Sequence, residues 1–343
     1  MLVEADWVQT VFDISAFQNV CDGITELRQA DARLEDHPAL ELLPPPRPGE
    51  RFRPVIFPEG WDGIIHVFRL FGMMARHPLT RRIDAAREHL AEPFLIGYDS
   101  SRGWQGFEDA AFRAVWAERV LSSFYEAFVF LMIAKAGFEV EFIETTSQRS
   151  PDLILPKLGL LIECKDIQGR ALEDWETPKL AARVRDNMGE AFTQMLKHDP
   201  DEEFEHICFV DLPDSPHRTS RALPGQRRLE LIANAFDFGE GGLDLSYAKR
   251  CLLSRTGLYH LVNREPRGPQ PIVVPEWLEP LAPVLSKKFS VLVDALFRED
   301  GTHPIRAWRP LHVMRAAFDH ELPAEYRQAR DAGRGKEFIE TYY

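Results

Sequence analysis

The sequence predicts an α/β protein, a central sheet with helices packed on it, with mainly helical regions before and after. Three observations carry this. The stretch from Phe107 to Ala136 is long, rich in apolar residues, has few breakers, and is closed by Gly137. Short strand-like runs follow at Phe138 to Ile143, Leu153 to Leu155 and Leu160 to Cys164. A second helical stretch, Lys179 to Lys197, then leads to a buried-strand pattern from His206 to Leu212, ended by Pro213. Helix, strand, strand, strand, helix, strand is an order that layers helices on a sheet.

At 343 residues the chain is long for one core, so two structural units are the prior expectation, and three regions can be read along it. Residues 1–106 form a mainly helical region suited to packing, dimerisation or substrate contact. In it, the prolines of Leu43 to Gly49 make a stiff extended connector. An apolar run, Ile64 to Phe71, leads to Arg81–Leu90, which reads as an exposed amphipathic helix. Residues 107–265 hold the core. Past Pro213 this region turns loop-like and basic, with a helix from Arg228 to Phe236; Leu258 to Val262 fits a strand or a helix. Residues 266–343 form a helical region, with a helix from Pro283 to Phe297 and a polar, helical tail after Arg306.

Composition excludes several classes. The four cysteines form no CxxC pair, which argues against zinc bound by cysteine alone; Cys164 and Cys208 lie in apolar runs and read as buried thiols in a reducing compartment. The first residues carry acids where a signal peptide carries lysines, and no apolar run approaches the roughly 20 residues that cross a bilayer. A cytoplasmic protein without membrane contact is expected. His303, His312 and His320 lack tight metal spacing, Gly239 to Gly242 lacks the Lys-Ser/Thr of a P-loop, and no Gly-x-Ser-x-Gly elbow occurs. The net charge of −13 argues against a protein that coats nucleic acid, but leaves room for a local basic face.

One stretch concentrates chemistry: Pro151-Asp152 opens a strand, the chain turns near Lys157-Leu158-Gly159, and a returning apolar strand ends in Glu163-Cys164-Lys165. Side chains alternate along a strand, so Glu163 and Lys165 share a face and Cys164 points away; Asp152 on the neighbouring strand can approach that face. Hydrolysis of a phosphodiester needs a hard divalent cation held by carboxylates and a nearby ammonium that orients water or stabilises developing charge. Asp152, Glu163 and Lys165 supply these groups. Glu126 is the one charged residue between Arg119 and Lys135, and a carboxylate in so apolar a run is costly unless a cation or a wet stripe meets it. The acid-free basic stretch containing Arg218, Arg221, Arg227 and Arg228 suits phosphate contact or a solvated loop; Lys179 and Arg183, at the start of the second helix, suit DNA contact or a solvated face.

Pro151-Asp152 followed by Glu163-Cys164-Lys165 resembles the signature of the PD-(D/E)xK nuclease superfamily, over roughly Phe107 to Pro213. The resemblance implies a restriction-endonuclease-like core with a mixed central sheet. It implies that Asp152 and Glu163 bind Mg2+ (Mn2+ as substitute), that the backbone carbonyl of Cys164 assists, and that Lys165 helps activate water. It also implies that Glu126, on the helix before the first strand, points toward the metal. In RecB-like branches a glutamine on the later helix lies near the site; Gln194 matches it, without the tyrosine that often follows. The expected function is metal-dependent cleavage of DNA, with RNA not excluded, in restriction, repair or anti-phage defence, as a homodimer or with a partner protein. The alternative is a non-cleaving nucleic-acid-binding or scaffold subunit that retains the fold.

Overall fold

The computed structural model describes residues 2–3, 55–56, 84–95, 110–143, 150–167, 178–211, 245–255, 276–280, 284, 286–296 and 322–343. The chain divides into two compact units. One is Met1–Ala127 with Leu258–Val273; the other is Phe128–Gly257 with Val274–Tyr343.

In the first unit, β1 (Leu2–Val3) pairs antiparallel with β2 (Val55–Ile56), two short strands within the region expected to be helical. Helix α1 (Asp84–Leu95) is one-sided, as its spacing predicts: Ala86 and Leu90 are buried, one turn apart, while Asp84, Ala85 and Glu88 are exposed. Helix α2 (Ala110–Lys135) runs from this unit into the second, and its residues from Ala127 to Ile133 are all buried. A helix apolar all round belongs inside a core. Gly137 ends it, with φ of 100°. The N–H of Phe138 donates to Ile133 and that of Gly137 to Ala134, so a left-handed glycine closes the last turn.

The second unit is built on a six-stranded sheet in the order β3 (Glu141–Phe142), β4 (Leu153–Leu155), β5 (Leu160–Asp166), β6 (Glu205–Asp211), β7 (Cys251–Arg255), β8 (Glu276–Pro280). The first three strands are antiparallel neighbours, β5, β6 and β7 run parallel, and β8 is antiparallel to β7. The sheet is therefore mixed. The expected turn lies at Gly159, whose φ is 66° and whose N–H donates to Leu155 at 2.8 Å.

Helix α3 (Pro178–His198) connects the parallel strands β5 and β6. Its stripe Val184, Met188, Ala191, Met195, joined by Phe192, packs against Leu161, Ile167, Cys208, Val210, Cys251 and Leu253. The 4-3-4 spacing of that stripe is what makes the segment a helix on a sheet. Each buried Val, Leu, Ile, Met or Phe side chain among them contributes about 1.5–3 kcal/mol. Cys164, Cys208 and Cys251 are buried thiols outside any disulfide, as expected for Cys164 and Cys208.

Strands β7 and β8 were not apparent in the sequence. Strand β8 carries two acids and ends in Pro280, a composition that suits an edge strand and masks its pattern. After a short helix α4 (Leu245–Ala248) and these strands, α5 (Lys287–Leu296) begins where the Ser286 hydroxyl accepts the N–H groups of Lys288 and Phe289. Two helices occupy the described part of the tail: α6 (Ala324–Asp331) and α7 (Gly335–Tyr342). Tyr326 and Arg330 of α6 both donate to Asp294 of α5, at 2.8 and 3.1 Å. The connector 43–49, the run 64–71, the helix 228–236 and the segment 258–262 lie outside the described residues. Among the described residues, no helix is long and apolar enough to cross a membrane.

The turn from α3 into β6 depends on Asp199. Its carboxylate accepts the N–H groups of Glu203 (3.1 Å) and Phe204 (3.0 Å) and the Nε2–H of buried His206 (3.0 Å). Burial raises the Asp199 carboxyl pKa, but these donors outweigh it and hold it below its ordinary value of 3.8. The folded state thus gains stability from this carboxylate above that pH and loses it as pH falls through the depressed value. Asp199→Ala should cost about 1–3 kcal/mol at pH 7 by leaving the buried His206 Nε2–H and two backbone N–H groups without this acceptor. In urea titrations, the gap between wild type and variant should narrow below pH 3.8; a gap unchanged at pH 2 would refute this account.

Candidate metal centre

The register between β4 and β5 assembles the site. Leu153 lies opposite Ile162 and Ile154 opposite Leu161. One residue further, Asp152 falls opposite Glu163, and its N–H still donates to Ile162 at 3.1 Å. Ile154 and Leu161 face α3. Alternation then turns Asp152, Glu163 and Lys165 to the same face, with Cys164 on the other. The partners of Glu163 and Lys165 on β6 are Cys208 and Val210, both in the cluster under α3.

The three side chains are close-knit. Oδ2 of Asp152 accepts the backbone N–H of Cys164 at 2.6 Å, which lays this carboxylate against the backbone next to Glu163. Nζ of Lys165 is 2.8 Å from Oε1 of Glu163, with the Glu163 side chain 3% exposed and that of Lys165 16%. Burial pulls the Lys165 ammonium pKa down. The Glu163 carboxylate, by charge and hydrogen bond, and then Glu190 and Asp152 by charge, overcome this and leave it above its ordinary 10.5. Lys165 is therefore a cation at neutral pH, and its chemistry is charge and hydrogen-bond donation.

Helix α3 adds two side chains. Nε2 of Gln194 donates to the carbonyl of Ser150 at 2.7 Å, tying the helix to the segment that leads into Asp152. Glu190, one turn earlier, acts on the charge of Lys165. The sequence shows Glu190 only as an acid diluting the basic start of that helix; its i, i+4 spacing from Gln194 was the available signal. Also inconspicuous in the sequence is Asp211, buried on the opposite sheet face, where it accepts from the Ser254 hydroxyl at 3.0 Å.

The other expected site residues fall as follows. Glu126 belongs to the first unit, where its Oε2 pairs with Nε2 of His89 at 2.7 Å. Lys179 lies in the first turn of α3, and Arg183 is exposed one turn on. Arg218, Arg221, Arg227 and Arg228 lie outside the described residues.

The donor chemistry is of the kind a hard cation takes: the carboxylates of Asp152 and Glu163 and the carbonyl of Cys164 all offer oxygen. Among the described residues, no three His, Cys, Asp or Glu side chains form a ready-made cage. Magnesium requires none, since one or two carboxylates suffice when water and phosphate complete its shell. Compared with protein-family models, curated proteins and solved structures, the chain matches none.

Lys165→Ala should destabilise the metal-free protein by about 3 kcal/mol, because it strips a buried carboxylate of its ammonium. Combining Glu163→Gln with Lys165→Met should recover most of that loss in guanidinium unfolding. A single variant as stable as wild type would show that the pair is not buried as described.

Proposed function

We propose that the second unit is a PD-(D/E)xK core of restriction-endonuclease type and that the protein hydrolyses DNA phosphodiester bonds with Mg2+, or Mn2+ in its place. The observation that carries this reading is the convergence of Asp152, Glu163 and Lys165 on one sheet face, with the Lys165 ammonium 2.8 Å from the buried Glu163 carboxylate. A buried ion pair is a poor device for stability alone, since an apolar pair of similar volume serves as well or better. The pattern of sequence and the order helix, three strands, helix, strand support it too.

In this reading Asp152, Glu163 and the Cys164 carbonyl hold the cation. When bound, Mg2+ supplies positive charge against the scissile phosphate and eases deprotonation of the attacking water. Lys165 donates a hydrogen bond that orients that water and offsets charge developing on the phosphate. Gln194 holds Ser150, and through it the approach of Asp152 to the site. Lys179, Arg183 and the stretch with Arg218, Arg221, Arg227 and Arg228 contact backbone phosphates, which compensates locally for a net charge of −13.

The test is cleavage of supercoiled plasmid, linear duplex, single-stranded DNA and RNA in Mg2+, Mn2+ or EDTA. Cleavage should require the ion and fall by about 100-fold or more in Asp152→Ala and in Lys165→Ala. Undiminished cleavage in EDTA or in Asp152→Ala would sink the proposal. A folded protein that binds Mn2+ yet cuts no substrate would instead favour a non-cleaving subunit that keeps the fold.

A further inference from the structure

Strands β6 and β7 set two thiols side by side. Cys208 and Cys251 are Cα partners on neighbouring parallel strands. The N–H of Cys208 donates to the carbonyl of Arg250 at 2.9 Å, which holds the two residues abreast at the start of β7. Neighbouring strands lie about 4.8 Å apart, inside the roughly 4.4–6.8 Å between α-carbons that a disulfide spans. Partners in register point to the same face, and both side chains belong to the apolar cluster beneath α3. Each is fully buried. Cys164, the third buried thiol, is no rival partner: it faces the other side of the sheet, and its neighbour on β6 is Phe209. Packing alone is served by any small apolar side chain. What the pair adds is a dithiol, which the nuclease reading does not use.

We propose that Cys208 and Cys251 form a modification site, a dithiol that a peroxide converts to a disulfide clasping β6 to β7. The conversion runs in two stages. One sulfur attacks a peroxide oxygen; an S–O bond forms, the O–O bond breaks, and water leaves with the thiol proton. The second thiol attacks the sulfenic sulfur; the S–S bond forms, the S–O bond breaks, and a second water leaves. Two electrons pass from the sulfurs to the peroxide. Thiols in apolar surroundings react slowly, so the oxidant must be small and uncharged, and the conversion waits on local opening of α3 from the sheet. A reductant returns the dithiol. The bond joins segments far apart in sequence, so it restricts the unfolded chain more than the folded one.

The experiment incubates the folded full chain with hydrogen peroxide, blocks the remaining thiols in denaturant, and maps the digest by mass spectrometry without reduction. A linked Cys208–Cys251 peptide pair, lighter than the dithiol by two hydrogens, should accumulate and vanish after dithiothreitol. It should persist in Cys164→Ala and be absent from Cys251→Ala. The oxidised protein should unfold at a higher urea concentration than the reduced form, and Cys251→Ala should show no such shift. Cysteines that stay thiols, or that oxidise singly to sulfinic or sulfonic acid, would overturn the proposal. A linked pair that fails to raise the urea midpoint would overturn it too, since the bond would then clasp nothing. Neither readout involves a cation or nucleic acid, so failure here and failure of the nuclease reading are distinguishable.

Discussion

Placing a carboxylate and an ammonium inside a protein strips both of water, at several kcal/mol per ion, and strand β5 does this with Glu163 and Lys165. The strand tolerates it because the two charges sit two residues apart on one face and meet at 2.8 Å. Their surroundings are apolar: Cys208 and Val210 beside them on β6, and the stripe of α3 above. Low polarity strengthens the attraction as much as it raises the cost of breaking it. Much of the local architecture answers to this constraint. Asp152 must lie on the neighbouring strand, and α3 must present polar groups at the site end while remaining apolar elsewhere.

Helix α3 reconciles those demands through its two kinds of contact with the sheet. Val184, Met188, Ala191 and Met195 press it onto β5, β6 and β7. At the site end, Gln194 hydrogen-bonds Ser150. At the turn into β6, Asp199 gathers two backbone N–H groups and His206. Apolar burial sets how the helix lies, since it is large and non-directional. The directional hydrogen bonds at Gln194 and Asp199 then fix its register along the sheet.

A site with carboxylates at Asp152 and Glu163 and one held ammonium offers the oxygen donors that a hard cation takes. This agrees with an acidic chain of net charge −13 and makes a polyanionic substrate depend on separate basic groups. An ammonium held above its ordinary pKa is a donor and a charge near neutrality, not a proton acceptor.

Much of this was determined by the sequence alone. Helices α2 and α3 and strands β4, β5 and β6 show in local periodicity, because a buried stripe or alternation must repeat with the geometry of its element. The shared face of Glu163 and Lys165 follows from a two-residue spacing, and the end of α2 from Gly137. Strands β7 and β8 were decided only by tertiary structure. Each is five residues long, and β8 is an edge strand with acids and a proline, so neighbouring strands rather than its own pattern define it. The meetings of Gln194 with Ser150 and of Glu126 with His89 are likewise tertiary facts. They join residues 25 or more positions apart, and no local period encodes which surfaces will be pressed together by burial.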